Sequence, residues 1–411
     1  MLLTAHLLLG VAFLVVLYIA LRDSRPALAM ACLFFVMYLV VRPVMLLTGA
    51  YSQYAFLHPH PGMWTSSDVE RVFLISAAFT TCFLAGYGLI RVGNGIGGIV
   101  ASLAGACVNR RAYLAAALLV TVAFAAGTLL QVSAGVLFYP YLIFAACMLL
   151  GKSERDEWRW FFVAIGIVTL AAALVLTEQR RDWAVAVFAL GWLRIVEGSS
   201  SVVRRLAIGL GLLLVLAFVA VALRTKGSAV DRLEAISESK AALAVIELEL
   251  DFPLVYDDLV ILAKRVPQRN DFLLGQTFVK PLVSWIPRDV WPGKPETFSR
   301  IVSREMNPAF FAGGGSEPLT FVGELFWNFG WFGCAVAALL GALHRYIDLL
   351  YLSGKSLVAS SAVVGRPALV AGITLAAMCF YILRGPIDTI WLSFVGLAGG
   401  LFVSKLFSNW V

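Results

Sequence analysis

Charge is scarce in this chain. Asp, Glu, Lys and Arg make up 14% of its 411 residues, against 61% hydrophobic residues. A water-soluble fold of this length has no core large enough to hide so much apolar surface, so the soluble globular classes are excluded. Histidine is scarcer still, with four residues. His58 and His60 form a close pair, but they sit in an HPHP run without acidic neighbours, which reads as a proline-stiffened loop rather than a metal site. Six cysteines are present, none in a Cys-x-x-Cys pair. All lie in or beside apolar runs, as small core residues do, rather than in disulfide or metal-ligand patterns. Also missing are a G-x-x-x-x-G-K-S/T phosphate loop, an H-E-x-x-H metal helix and a G-x-S-x-G nucleophile turn. No metal, nucleotide or other cofactor is therefore expected.

What the chain has in abundance is long apolar runs. A membrane helix needs about 20 mostly apolar residues. About eleven segments qualify: 2–21, 27–48, 72–90, 112–132, 135–150, 159–177, 183–195, 205–223, 319–343, 366–384 and 387–408. The fifth and seventh are the shortest. The first lacks a basic leader and a small-residue cleavage site, so it reads as a span and not as a cleaved signal. The expected fold is an all-α polytopic membrane protein. It divides into an N-terminal bundle over 1–223, a large loop over 224–318 and C-terminal spans over 319–411.

The formal net charge of +7 does not point to nucleic acid, because its placement is that of a topology signal. Alternate connections carry Arg22 and Arg25; Arg91, Arg110 and Arg111; Lys152, Arg155 and Arg159; Arg194, Arg204 and Arg205; His344, Arg345, Lys355 and Arg366; and Lys405. The opposite short connections, 49–70 and 133–134, hold no Lys and no Arg. In a bacterial inner membrane this asymmetry predicts a periplasmic N-terminus, a cytoplasmic C-terminus and a periplasmic 224–318 loop. Within that loop, Pro253 to Pro267 has the pattern of an amphipathic helix bounded by prolines. Phe272 to Pro287 is too apolar for a free loop and too interrupted for a span. It is expected at the interface or dipping into the membrane. Phe310 to Ser316 reads as a flexible joint, and no internal repeat is present.

Some charges break the topology pattern. Arg180 and Arg181 sit in a short outside turn, Arg384 ends the tenth span on the same side, and Arg42 lies inside the second span. A charge at the centre of a span costs about 2.5–3.5 kcal/mol on insertion scales, so intramembrane charges tend to be functional. Local pairing is an alternative for each, through Glu178 and Asp182 for the first two and Asp388 for Arg384. Together they suit an anion, because the guanidinium fork donates parallel hydrogen bonds to phosphate. A second group is Trp285 to Pro295 (WIPRDVWPGKP), a rigid turn expected to display Arg288 and Lys294, with Trp291 as an interfacial anchor or a sugar platform. A third is Glu324 and Asn328, four apart and so on one helix face. Glu324 could serve as a general base or hold an arginine in place.

Three of these stretches resemble Wzy-type polymerases of repeat-unit polysaccharides, the O-antigen and enterobacterial common antigen polymerases. In the common-antigen branch an Ile-Pro-x-x-x-Trp-Pro-Gly-Lys/Arg-Pro element recurs, matched here by Ile286 to Pro295. A threonine and arginine open a mid-chain span, matched by Thr177 to Arg181, with two acidic and amide residues and a second arginine where small residues are usual. An Arg-x-x-x-Asp turn precedes the last span, matched by Arg384 and Asp388. The resemblance covers roughly residues 170–400. It implies a C-type glycosyltransferase that needs neither nucleotide nor metal. The growing glycan on undecaprenyl diphosphate would pass to a hydroxyl of an incoming lipid-linked repeat unit. The implied roles give Arg180, Arg181 and Arg384 to the diphosphate. Arg288, Lys294 and Asn328 go to substrate, Trp291 to sugar, and Glu324 or Asp388 to the acceptor proton. The implied partners are undecaprenyl-diphosphate-linked oligosaccharides, membrane lipids and a chain-length regulator. Two other functions remain open on the residues alone: glycan transfer to lipid A core by an O-antigen ligase, and transport of an anionic lipid.

Overall fold

A computed structural model describes residues 1–49, 65–90, 95–106, 139–150, 185, 188–193, 201, 252–283, 286, 289–314, 317, 319–358, 362–385 and 388–408. Among these residues every regular element is helical. The chain is a multi-pass helical membrane protein. Five described segments are long and apolar enough to cross a bilayer: Leu2–Arg22, Pro26–Thr48, Ser66–Leu89, Phe321–Val358 and Gly365–Arg384. The expected spans 112–132, 159–177 and 205–223 lie outside the described residues. Those at 135–150 and 183–195 are described in part.

Helix α1 (Leu2–Arg22) ends in a tight reversal through Ser24, whose φ is 54°. Arg22 and Arg25 both pair with Asp23 there, at 2.9 Å each. Pro26 then opens α2 (Pro26–Phe35), where its fixed φ suits the first helical position. The return span is not one regular helix. A π-helical segment, Val36–Val41, separates α2 from α3 (Arg42–Thr48). Pro43 has no N–H to offer the carbonyl one turn earlier, and a widened turn ahead of it absorbs the mismatch. Gly49, with φ of 70°, closes α3 in the left-handed conformation.

Helix α4 (Ser66–Leu89) begins with a capping box, in which Thr65 and Asp68 satisfy each other's backbone N–H groups. Helix α5 (Gly95–Ala106) forms where the sequence, with three glycines in four residues, reads as a connection. Helix α6 (Tyr139–Leu150) follows. Past the undescribed middle come α7 (Phe252–Arg265), α8 (Gln276–Val279) with a 3-10 turn at Lys280–Val283, α9 (Phe298–Met306) and α10 (Pro308–Ala312). The proline-bounded helix expected from 253 is α7. The joint expected over 310–316 begins inside α10, and Gly314 (φ 83°) lies just beyond it.

The C-terminal part holds α11 (Phe321–Phe329), α12 (Gly333–Val358), α13 (Ala362–Arg384) and α14 (Asp388–Ser408). A 3-10 turn at Gly330–Phe332 joins the first two. The span expected to stop at 343 continues for another 15 residues, to Val358. Its Asp348 is satisfied inside the bundle, so no loop is needed to hydrate it. Asp348 is fully buried and accepts from Ala27 N–H (2.8 Å), Leu28 N–H (3.1 Å) and the Tyr87 hydroxyl (2.7 Å). It thereby caps α2 from another helix.

Helix α12 packs along both α4 and α13. Small residues permit this closeness: a Cβ on Gly341 would stand 1.8 Å from the Phe83 carbonyl oxygen, and one on Gly86 would stand 1.9 Å from that of Ala338. Antiparallel packing gives the bundle two chemically different ends. One gathers Arg22, Arg25, Lys355 on the Ser24 hydroxyl (3.2 Å), and Arg366 on the Met148 carbonyl (3.1 Å). The other gathers the start of α4, the end of α13, and α7 to α11.

Candidate functional site

The second end carries a layer of buried polar side chains, built around α7. This helix packs against α3, the π segment, α4, α9 and α11. Its Asp257 meets Arg42, with Nη2 to Oδ2 at 3.1 Å and Nε to Oδ1 at 3.3 Å. Arg42 is fully buried and Asp257 nearly so. The arginine of the second apolar segment is therefore held in a two-pronged ion pair with α7. Asp258, beside it, is also fully buried. Burial pushes the Tyr256 phenol well above its ordinary range, and the Asp257 charge adds to this, so the group is a neutral hydroxyl.

Arg384 stands at the last position of α13 and is half-buried. Its guanidinium lies close enough to the hydroxyl of Tyr38, in the π segment, to interact with it electrostatically. Tyr38 and Arg42 are four residues apart, so the irregular stretch of the second span serves two arginine contacts at neighbouring positions. The π segment and the arginine that follows it thus join the end of α13 to α7.

Glu324 and Asn328 do share a face of α11, and both are fully buried. The Thr277 hydroxyl donates to Glu324 Oε1 at 2.7 Å and accepts from Asn328 Nδ2 at 3.0 Å. Asn328 Oδ1 accepts the Gly275 N–H at 3.0 Å. The backbone N–H groups of Leu273 and Leu274 donate to the carbonyls of Trp327 and Asn328. This network fastens the apolar 272–283 segment onto α11, and the 3-10 turn at its end touches α14. Leu274 and Leu282 remain exposed, at 83% and 61%. The apolar segment is docked on α11 and α14 with these leucines turned outward.

The Trp-Pro-Gly-Lys-Pro turn departs from expectation at Lys294. The sequence predicts a displayed cation, but the side chain is 8% exposed, and Nζ donates to the Ile286 carbonyl at 2.6 Å. With Lys294 N–H on the Trp291 carbonyl (3.1 Å), it closes the turn on itself. Prolines at 292 and 295 leave few backbone donors to do this, so the lysine side chain supplies one. Trp291 is displayed, at 39% exposed. An open cleft of about 320 Å³ lies beside the turn, lined by Leu273, Gln276, Glu296, Ile301 and Arg304, among others.

Arg180, Arg181 and Arg288 lie outside the described residues, and Asp388 is the first residue of α14. No protein-family model matches the chain, and no curated protein or solved structure is detectably similar to it. Among the described residues no group of three or more His, Cys, Asp or Glu is placed to hold a metal ion. Sequence reasoning missed Tyr38, Thr277 and the Arg42–Asp257 pair. Two adjacent acids, Asp257 and Asp258, within the apolar pattern of α7 were the available signal for that pair.

Proposed function

We propose that the chain polymerises lipid-linked oligosaccharide repeat units at the periplasmic face of a bacterial inner membrane. Growing glycan would move from undecaprenyl diphosphate to a hydroxyl of an incoming lipid-linked unit. The observation that carries this reading is the position of Arg384. It ends a spanning helix at the level of a buried polar layer and interacts with Tyr38, which stands one helical turn before Arg42. The resemblance of Ile286–Pro295 and Arg384–Asp388 to Wzy-type polymerases supports the same reading.

In the reaction, the acceptor oxygen bonds to the anomeric carbon and the bond to the diphosphate oxygen breaks. The leaving group gains negative charge, and a fixed guanidinium stabilises that charge more than the ground state. Arg384, with Arg180 and Arg181, takes this role. The acceptor proton passes to Glu324 or Asp388. The Thr277 hydroxyl on Glu324 Oε1 fixes the orientation of that carboxylate, which suits either proton acceptance or support. Lys294 has no part in holding diphosphate, because it closes its own turn.

Purified protein supplied with synthetic undecaprenyl-diphosphate-linked repeat units provides the test. Arg384→Ala should lower chain growth by at least a hundredfold at an unchanged melting temperature. Wild-type chain growth in a folded Arg384→Ala protein removes the assignment. A transporter reading draws on a different observation, the fully buried His344 and Asp348 within α12. Movement of lipid across liposomes with no new glycosidic bond would favour it.

A further inference from the structure

The cleft beside the Trp-Pro-Gly-Lys-Pro turn has a chemistry that the arginine layer lacks. Its volume of about 320 Å³ falls in the range of small-molecule sites. Three side chains with planar polar groups line it, those of Gln276, Glu296 and Arg304, together with Lys294, whose ammonium is bonded to the Ile286 carbonyl at 2.6 Å. Glu296 and Arg304 are hydrogen-bonded to each other, so a carboxylate and a guanidinium face the same space and cancel. A diphosphate would meet the carboxylate as well as the guanidinium and would have to break their pair. A neutral ligand rich in hydroxyls has no such conflict. Carboxylate and amide oxygens accept from it, and guanidinium and amide N–H groups donate to it, in the flat arrays that adjacent hydroxyls present.

The remaining walls complete this chemistry. Leu273 and Ile301 give an apolar surface for the C–H face of a ring. Gly293 belongs to the lining, and a Cβ there would stand 3.7 Å from the Trp291 Nε1. The exposed indole therefore borders the cleft at Gly293, where an aromatic face can stack on a sugar.

We propose that this cleft is a saccharide subsite, built to hold uncharged sugar rings by their hydroxyls and formed by residues other than Arg42, Arg180, Arg181 and Arg384. It rests on the polymerase reading for the glycan it serves, but binding itself needs no turnover.

The test uses full-length protein in detergent with five carrier-free tetrasaccharides, of glucose, galactose, mannose, rhamnose and N-acetylglucosamine. Ligand-observed saturation transfer and tryptophan fluorescence report binding. At least one should bind. Gln276→Ala and Arg304→Ala should each weaken it at least tenfold, Trp291→Leu should remove it, and Arg384→Ala should leave it unchanged. Arg304 is about half-exposed, so its variant should keep the wild-type melting temperature; if it does not, Gln276→Ala carries the test alone. The proposal is overturned if none of the five binds the folded wild type, or if binding is unchanged in the Gln276→Ala/Arg304→Ala double variant. Saccharide binding without chain growth on lipid-linked substrate removes the polymerase reading and leaves the cleft standing. Chain growth without cleft-dependent binding does the reverse.

Discussion

Arg42 shows how a residue that looks costly in sequence becomes tolerable in three dimensions. A lone guanidinium in a span is expensive, but a carboxylate with matched geometry offsets much of that cost. Removing one partner leaves the other buried and unpaired. Arg42→Met should therefore destabilise the protein by about 3–5 kcal/mol, and Asp257→Leu by a similar amount. The double variant should regain most of the loss, because two apolar side chains replace two charges together. Melting in detergent for the four members of this cycle measures the coupling, and additive losses would show that the pair does not interact. A double variant that is stable but unable to extend glycan would place Arg42 in the reaction as well as in the fold. The residue scale is where sequence reading was least complete. The anomaly at Arg42 was visible, but its partner lies more than 200 positions away, and no local rule links them. Lys294 was misjudged for a related reason. Its exposure depends on which carbonyl its own turn leaves within reach.

At the scale of elements, the apolar periodicity and lengths of the runs were enough to place α1, α4, α7, α13 and α14. Termini and interruptions were harder to read. The π segment follows from Pro43, yet its position depends on what Tyr38 and Arg42 must reach. Helix α12 was read as ending at 343 because His344, Arg345 and Lys355 looked like loop residues. Inside the bundle His344 bonds the Leu340 carbonyl of its own helix, Arg345 reaches Tyr87 of α4, Asp348 reaches α2 and α4, and helix continues. Glycine likewise has two meanings that composition does not separate. At Gly341 it allows a close helix crossing, whereas at Gly97 nothing lies within 4 Å of a Cβ. Alanine at both positions distinguishes them. Gly341→Ala forces α4 and α12 apart and should cost about 1–3 kcal/mol, as overpacking does. Gly97→Ala removes only backbone freedom and should be neutral or stabilise by about 0.5–1 kcal/mol. Melting temperatures of the two variants check this, and equal effects would contradict the close crossing.

Across the whole molecule, the two ends of the bundle differ in kind as well as in charge. Arg22, Arg25, Lys355 and Arg366 stand at one end and answer to backbone carbonyls, a hydroxyl or a nearby carboxylate. The polar layer at the other end ties spanning helices to a segment that is not itself a span, which is the arrangement expected where a substrate with a lipid tail and a polar head must be handled. The positive-inside bias predicts that the first end lies in the cytoplasm and the polar layer outside. Cysteines introduced singly at exposed positions test this. Gln268→Cys follows α7 at the layer end, and Arg22→Cys lies at the opposite end. A membrane-impermeant maleimide added to intact spheroplasts should label Gln268→Cys and reach Arg22→Cys only after the membrane is opened. Because α1 is a single helix that carries Arg22 away from the layer end, both positions must switch together if the orientation is reversed. Labelling of Arg22→Cys alone in closed spheroplasts would put the polar layer in the cytoplasm, and with it would go any reaction on a carrier displayed at the outer face.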